Sequence, residues 1–227
     1  GGAEKIVLEL IKRIKNKVEV RLYIIKKNYQ SIYDEELKKL NIQYYYLNAR
    51  SKIFSIFAAK RLKNLLDSFQ PDIVHTHLKA ADYIYYYYLK NKDIAWVHTA
   101  HTLASVDTKR IRRIFFKRLY KRGIIKVVAV SKTVANSLYL LYGIEAELIY
   151  NGIDLSNFQY QKKENKSFEI IHIGRFVPVK NHSYLIEEFA KLASVKPKVK
   201  LNLIGDGPTK PKITKRVKKL GISKYVK

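Results

Sequence analysis

The residues best suited to bind an anion are Arg175 and Lys180, which lie between a predicted strand and a predicted helix. A guanidinium group grips phosphate oxygens with two hydrogen bonds, whereas an ammonium group acts as a point charge. Gly174 directly precedes Arg175 at the carboxyl end of the strand, where α/β proteins bind their ligands. This segment could therefore neutralise a diphosphate leaving group without a metal ion. The alternative is that both are ordinary surface cations in a lysine-rich chain.

A second candidate anion site is the pair Gly1 and Gly2, which directly precedes a predicted helix over residues 4–15. Glycine allows close approach of a ligand, and the free N–H groups of a helix start attract negative charge. Two glycines alone are equally typical of a tight turn. In a doubly wound domain such a pair follows the first strand. We therefore expect that strand, which is central in the usual order, to be missing, leaving its two neighbours unpaired.

Four histidines end two neighbouring predicted strands, His75 and His77 on one strand and His98 and His101 on the next. They could ligate a metal, but no carboxylate or cysteine accompanies them at ligand spacing, and we predict no metal. A histidine at the edge of a cleft can instead donate a hydrogen bond to a sugar hydroxyl or support charge developing on a sugar. A packing or capping role is the third option, which we favour for His75 and His98.

A strand-to-helix junction contains Gly205, Asp206, Gly207 and Pro208. Proline suits the first turn of the helix that follows. The two glycines permit either close approach of a ligand or a sharp turn. For Asp206, simple turn chemistry is at least as good an explanation as ligand binding.

The elements that position these residues alternate along the chain, because short β-branched or aromatic runs are separated by stretches of helical period. This is the βαβ pattern of a mostly parallel, doubly wound sheet, and the fold class is α/β. Strands are predicted over residues 18–25, 44–47, 72–77, 95–100, 126–131, 147–150, 168–174 and 199–205. Helices are predicted over residues 4–15, 31–40, 52–69, 79–90, 108–122, 132–142, 181–194 and 209–220.

A domain boundary is predicted in the segment Asn151–Glu164, which begins with an Asn-Gly turn signal and continues with polar residues. The first domain then covers residues 1–150, and the second begins in residues 151–227. The second holds two βα units and stops where another strand should begin. We expect it to be incomplete and the chain, which has no methionine, to be an internal fragment or a processed product.

The chain has 227 residues with Lys+Arg 45 and Asp+Glu 19, for a net charge of +26, and no cysteine. The lack of cysteine excludes a disulfide-rich secreted domain and a cysteine-ligated zinc module. The charge permits a non-catalytic nucleic-acid or anionic-polymer binder, although no aromatic–basic RNA platform is visible. The densest basic segment, residues 109–122, forms a helical pattern around Ile111, Ile114, Phe115 and Leu119. It suits either an anionic membrane surface or plain solvation.

Taken in order, several segments resemble the family 4 glycosyltransferases of the GT-B fold. The matching stretches are GGAEKIVLELIKRI, PDIVHTH, VHTAHTL, VVAVSKTVANSL, IYNGIDLSNF, IHIGRFVPVKNHSYLIEEFAKL and LNLIGDGP. The resemblance implies two Rossmann-like doubly wound domains: an acceptor-side domain over residues 1–150 and the start of a nucleotide-sugar-binding domain over residues 151–227. It also implies retaining transfer from a nucleotide-diphosphate sugar, with no required metal or cofactor.

The resemblance also implies roles for individual residues. Arg175 and Lys180 match the pair that binds the donor diphosphate, and Gly174 matches the glycine that opens this loop. Gly2 matches the glycine loop against the donor phosphate. His101 matches the catalytic-site histidine that contacts the transferred sugar.

The resemblance breaks down at both ends of the chain. The first strand is absent, and residues 206–227 contain no glutamate, so the family's pair of donor-binding glutamates is not there. We expect little or no transferase activity from this chain alone. For the parent protein we expect bacterial surface-polysaccharide or lipopolysaccharide assembly, a glycan or lipid-linked acceptor and no nucleic-acid partner. We expect it in the cytoplasm, peripheral on the inner face of the membrane.

Overall fold

The protein is described by a computed structural model, which covers residues 2–27, 32–49, 52–88, 94–107, 110–158 and 168–227. The chain divides into two compact units, an N-terminal unit of residues 1–158 and a C-terminal unit of residues 159–227. Each unit is described by itself. The sequence-based interpretations of Gly1 and Lys109 lie outside the described residues.

The N-terminal unit alternates strands and helices, as the βαβ pattern predicts. Its strands are β1 (Arg21–Ile24), β2 (Gln43–Tyr46), β3 (Ile73–His77), β4 (Ala95–Ala100), β5 (Ile125–Ala129) and β6 (Glu147–Leu148). Its helices are α1 (Gly2–Ile14), α2 (Ile32–Lys39), α3 (Lys52–Phe69), α4 (Ala81–Tyr88), α5 (Ala104–Asp107), α6 (Arg110–Lys121) and α7 (Lys132–Tyr142). Most bounds lie within a few residues of those predicted, although β6 is shorter.

The strands of the N-terminal unit lie in two parallel sheets, β1–β2 and β3–β4–β5–β6. The second sheet places His77 opposite Thr99 and Ala100 opposite Ala129. Because all four strands run in one direction, the polar residues at their carboxyl ends share one edge. Within the described residues no ladder joins β1 to β3. The expectation of an absent central strand stays a prediction.

Helix α1 packs through Leu8 and Ile11, which are buried against Leu37 of α2 and the adjacent Leu40. The helical period predicts one apolar face made of Ile6, Val7, Leu10, Ile11 and Ile14. Ile11 is buried on that face, but Leu8, which the predicted face omits, is buried as well. The two buried residues are three apart and stack on one side of a helix. Helix α1 has apolar residues on more than one side, and only those that contact α2 and Leu40 become fully buried.

The main core of the N-terminal unit surrounds the β3–β6 sheet and contains Trp96, Tyr87 and Tyr142, each about 2% exposed. Tyr87 belongs to the run Tyr85–Tyr88, for which the helical position predicts packing rather than ligand binding. Its burial confirms packing for Tyr87, and the side chains of Tyr85 and Tyr86 lie outside the described residues. Large aromatic side chains supply much of the apolar area that stabilises such a core.

The C-terminal unit contains β7 (Glu169–Ile173), α8 (His182–Val195), β8 (Lys200–Ile204) and α9 (Lys210–Lys219), with a 3₁₀ turn at Pro178–Lys180. The two strands are parallel. At the end of the chain the Lys227 N–H donates to Leu201 O at 2.9 Å and the Leu203 N–H donates to Lys227 O at 2.8 Å. Val226 thus forms a parallel bridge with Leu201 beside β8, at the place where the sequence predicts a further strand.

Candidate functional site

Two loops meet at the carboxyl edge of the β7–β8 sheet: the β7 loop, residues 174–181, and the β8 loop, residues 205–209. The Gly174 N–H donates to the carbonyl of Ile204 at 2.9 Å, and the Phe176 N–H donates to the carbonyl of Asp206 at 2.8 Å. The Thr209 N–H returns a bond of 3.0 Å to the carbonyl of Phe176. These backbone bonds tie the two loops into one platform.

Two glycines of the β8 loop make this contact possible. Gly205 and Gly207 have φ angles of +150° and +152°, a region that side-chain-bearing residues rarely adopt. A Cβ on Gly205 would stand 2.0 Å from the carbonyl oxygen of Gly174, and one on Gly207 would stand 2.5 Å from that of Phe176. The close approach that these glycines permit is thus between two loops of the chain itself.

Arg175 and Lys180 both project from the platform as exposed side chains. Among the described residues, no carboxylate forms an ion pair with either of them. The Lys180 stem passes over Gly174, because a Cβ there would lie 3.8 Å from both Cγ and Cδ of the lysine. The structure therefore brings Gly174, Arg175 and Lys180 to one edge. Their role in binding a donor stays a prediction.

A buried aromatic contact with the start of α8 fixes the β7 loop. The Phe176 ring stacks on the His182 ring at 4.2 Å with an interplanar angle of 17°, and both residues are buried. Asn181 adopts a left-handed conformation with φ of +50°, which turns the chain into α8. A buried aromatic anchor and a sharp turn thus bracket Lys180.

The polar edge of the N-terminal unit is built at the ends of β3 and β4. His98 is buried there, with Nδ1 3.0 Å from Thr76 Oγ1. The Thr76 hydroxyl donates to the Val97 carbonyl and accepts from the Trp96 indole N–H. A hydroxyl has one hydrogen, so His98 Nδ1–H is the donor to Thr76. This closed network supports the packing role expected of His98, and burial lowers its pKa to about 4.

His77 and His101 face each other across the same edge, with 3.0 Å between His77 Nδ1 and His101 Nε2. The His75 ring contacts the His77 ring at 4.2 Å between centroids with an interplanar angle of 36°, and His75 Nε2 lies 2.8 Å from Thr99 Oγ1. Burial lowers the pKa of His77 to about 3 and also lowers that of His101, against the opposing influence of Glu4. Both rings are therefore neutral at pH 7.

No metal centre is assembled from these side chains. In the part of the chain that the structure describes, no group of three or more His, Asp or Glu side chains is placed to hold an ion. The histidine that the resemblance assigns to the sugar, His101, is half-buried at the strand edge. It is available for hydrogen bonding to an organic ligand.

Gly2 is the first residue of α1 and is exposed, with no atom within 4 Å of the position that a Cβ would take. The carboxylate of Glu4, in the first turn of the same helix, partly opposes the lowering of the His101 pKa that burial causes. The structure thus places the predicted residues in two groups. Gly2 and His101 lie in the N-terminal unit, and Gly174, Arg175 and Lys180 lie in the C-terminal unit.

The basic helix α6 packs through Phe116 and Leu119, with Arg112 ion-paired to Asp82. The sequence pattern predicts an apolar side around Ile111, Ile114, Phe115 and Leu119. Leu119 is buried and Phe115 is half-buried, whereas Ile114 is 57% exposed. The exposed basic residues beside it are Arg113, Lys117, Arg118, Lys121 and Arg122. Their face is available for an anionic surface.

Sequence reasoning missed two supporting features of the site. It assigned no role to His77, although the spacing of His75 and His77 on one strand and His101 after the next is the signal for a shared edge. It also interpreted Gly205 and Gly207 without naming the β7 loop as the segment they approach. Both features depend on contacts between separate segments.

Each of the two units matches a known protein family. Residues 1–157 match the family described as Glycosyltransferase Family 4, and residues 155–227 match the family described as Glycosyl transferases group 1. The two matches meet within the segment in which the sequence predicts a boundary.

Individual proteins with similar sequences are also named as glycosyltransferases. The putative glycosyltransferase EpsF of Bacillus subtilis is 24% identical over 92% of this chain and 59% of its own length. An N-acetylgalactosamine-N,N'-diacetylbacillosaminyl-diphospho-undecaprenol 4-alpha-N-acetylgalactosaminyltransferase of Campylobacter jejuni is 32% identical over 36% of this chain and 22% of its own length. The chain therefore spans about three fifths of the length of EpsF.

Among solved structures, Anabaena Alr3699/HepE in complex with UDP superposes with a TM-score of 0.79. It is 17% identical, and the match covers 100% of this chain and 65% of the other. This likeness confirms the predicted α/β fold class of the GT-B type.

Proposed function

The chain belongs to the family 4 glycosyltransferases, and from this premise we propose that its parent protein is a retaining glycosyltransferase. It moves a sugar from a nucleotide-diphosphate donor to a glycan or lipid-linked acceptor. The observation that carries the proposal is the pair Arg175 and Lys180, exposed and without an ion-pair partner among the described residues, above Gly174. A cationic pair on a rigid loop matches the charge of a diphosphate.

In the proposed reaction the bond between the sugar C1 and the diphosphate oxygen breaks, and the electron pair leaves with the nucleoside diphosphate. Arg175 and Lys180 offset the charge that develops on that leaving group. The acceptor hydroxyl oxygen bonds to C1 on the same face, and its proton passes to the departing diphosphate oxygen. This assignment needs no metal ion, because the two side chains supply the positive charge themselves.

His101 contacts the transferred sugar in this proposal. Its half-buried ring is neutral at pH 7, because burial lowers its pKa. A neutral imidazole can hydrogen-bond a sugar hydroxyl without placing a positive charge beside a carbon that itself becomes positive. Neutrality therefore favours departure of the leaving group.

Two further observations support the proposed acceptor and the proposed location. The Campylobacter relative is named for a diphospho-undecaprenol acceptor, which supports a lipid-linked acceptor in bacterial surface-polysaccharide assembly. None of the helices described here is long and apolar enough to cross a bilayer. The exposed basic face of α6 supports peripheral attachment to the inner face of the membrane.

The proposal is tested by incubating the gene product that contains these residues with a panel of radiolabelled UDP-, GDP- and ADP-sugars. Undecaprenyl-diphosphate-linked acceptors are added, with and without a chelator. We expect chelator-resistant transfer from at least one donor, with the anomeric configuration retained by NMR of the product. Arg175→Ala should abolish it. Inversion, or no transfer from any donor, would overturn the proposal.

Residues 1–227 by themselves should turn over these donors slowly or not at all. The pair of donor-binding glutamates that the family resemblance implies is not among residues 206–227. The same panel, run with the 227-residue chain beside the gene product, measures the difference.

A further inference from the structure

We propose that His77 is a positioning residue for His101. It holds the Nε2 atom of His101 and so leaves Nδ1 as the ring nitrogen that meets the sugar. This inference rests on the proposed function, because it concerns the way in which His101 serves the transferred sugar. It assigns to His77 a task that depends on its contact with His101 in the folded chain.

The first support is the contact itself. The 3.0 Å between His77 Nδ1 and His101 Nε2 is a normal hydrogen-bond length between ring nitrogens. The two ring centroids are 5.3 Å apart. A ring that is bonded at Nε2 cannot turn about its Cβ–Cγ bond without breaking that bond. The contact therefore fixes the plane of His101.

The second support is that His77 is itself held in place. Its ring lies against the tilted ring of His75 at 4.2 Å between centroids, and His75 Nε2 lies 2.8 Å from Thr99 Oγ1. Thr99 lies opposite His77 in the β3–β4 ladder. The orientation of His101 is thus connected through two rings to the sheet. A rigid support of this kind is what a precisely placed hydrogen-bonding group needs.

The third support is proton counting. Burial, and then the nearby His75, lower the pKa of His77 to about 3, and the pKa of His101 is lowered as well. Two neutral imidazoles have one N–H each, so one proton lies between Nδ1 of His77 and Nε2 of His101. Whichever ring donates, Nε2 of His101 is occupied. The charged or titratable groups around the pair are Glu4 of α1, His75, His98 and, beyond His98, Arg112.

The direct test is nuclear magnetic resonance of the chain with ¹⁵N-labelled histidine. We expect His101 to show one protonated and one unprotonated nitrogen, as a single tautomer. A scalar coupling across the hydrogen bond should connect its Nε2 to Nδ1 of His77. His77→Leu should average the two nitrogens of His101, whereas His77→Asn, whose amide can occupy the place of Nδ1, should restore a single tautomer. His172→Leu, at a half-buried histidine of the C-terminal unit, is the matched control and should leave the coupling in place.

Absence of the coupling in the unaltered chain would overturn the inference, and this measurement stands even where His77→Leu fails to fold. In the transfer assay we expect His77→Leu to lower kcat about 10- to 100-fold with a much smaller change in KM, because misplacement of a reacting contact costs rates of this order. His77→Asn should recover most of the rate. Wild-type kcat in His77→Leu would overturn the inference and leave the proposed function standing. An intact coupling without any transfer by the unaltered protein would overturn the proposed function, and with it the sugar-facing role of Nδ1.

Discussion

Gly205 lies directly against Gly174, because a Cβ on Gly205 would stand 2.0 Å from the carbonyl oxygen of Gly174. The two residues follow neighbouring parallel strands, and the Gly174 N–H bonds the Ile204 carbonyl at 2.9 Å. The loop that presents Arg175 and Lys180 is therefore seated on a loop that tolerates no side chain at this position. Glycine at 205 is required by the chain's own packing, before any ligand is considered.

The first prediction concerns this contact. Gly205→Ala should lower the free energy of unfolding by about 3 kcal/mol, because an alanine there combines overpacking against a backbone carbonyl with an unfavourable positive φ. The measurement is urea denaturation followed by circular dichroism. Gly152→Ala is the control, because nothing lies within 4 Å of its Cβ position. Equal midpoints for the two variants would contradict the prediction.

The second prediction concerns the exposed cations of the β7 loop. Arg175→Ala and Lys180→Ala should each weaken binding of UDP about 10- to 100-fold, since a charge-assisted hydrogen bond contributes about 1.5–3 kcal/mol. Stability should change little, because neither side chain has an ion-pair partner among the described residues. Isothermal titration calorimetry measures the affinity. Lys196→Ala, an exposed lysine of the same unit, should bind UDP as the unaltered protein does.

The third prediction concerns pH. Burial, and then the nearby Arg112, lower the pKa of His98 to about 4, whereas an unfolded histidine titrates near about 6.5. Between these values the unfolded chain binds a proton that the folded chain does not. The free energy of unfolding should therefore fall as the pH drops from about 6.5 to about 4, by up to about 1.4 kcal/mol per pH unit. Above about pH 6.5 this contribution is constant.

Urea denaturation at several pH values measures how the free energy of unfolding changes with pH. Comparison with His98→Leu gives the part of this change that His98 causes. The substitution leaves the Thr76 hydroxyl with its bonds to Trp96 and Val97. In this variant the free energy of unfolding should depend less steeply on pH between about 4 and about 6.5. The slope should be smaller by up to about 1.4 kcal/mol per pH unit, which corresponds to one proton. An unchanged slope would show that His98 does not titrate differently in the two states.

The fourth prediction concerns α6. Replacing Arg113, Lys117 and Arg118 by glutamine should reduce binding to anionic vesicles by about 100-fold, because each cation near such a surface contributes about 1 kcal/mol. Co-sedimentation with phosphatidylglycerol vesicles measures it, with phosphatidylcholine vesicles as the uncharged reference. The triple replacement of Lys212, Lys215 and Lys219 on α9 removes the same charge from another exposed helix. Equal losses for both triples would argue for unspecific attraction by net charge.

The sequence by itself determined the order and the ends of most elements, because these depend on neighbours along the chain. Helix α7 was predicted over residues 132–142 and is observed there. Ser131 caps its start by accepting a bond from Val134 N–H, and Gly143 ends it in a left-handed conformation with φ of +65°. Both are local signals. The same reasoning placed Gly174, Arg175 and Lys180 at a strand end, because parallel strands present their carboxyl ends at one edge.

Only the tertiary structure decided which surfaces meet. It buried Leu8 in α1 and exposed Ile114 in α6, since the packing partner selects a stripe from a wider apolar arc. It joined His77 to His101, 24 residues apart in sequence, and seated Gly205 on Gly174. These contacts depend on strand register and on the approach of separate segments. The sequence shows which residue types are available for such contacts, but it does not show which of these residues lie close together in the folded chain.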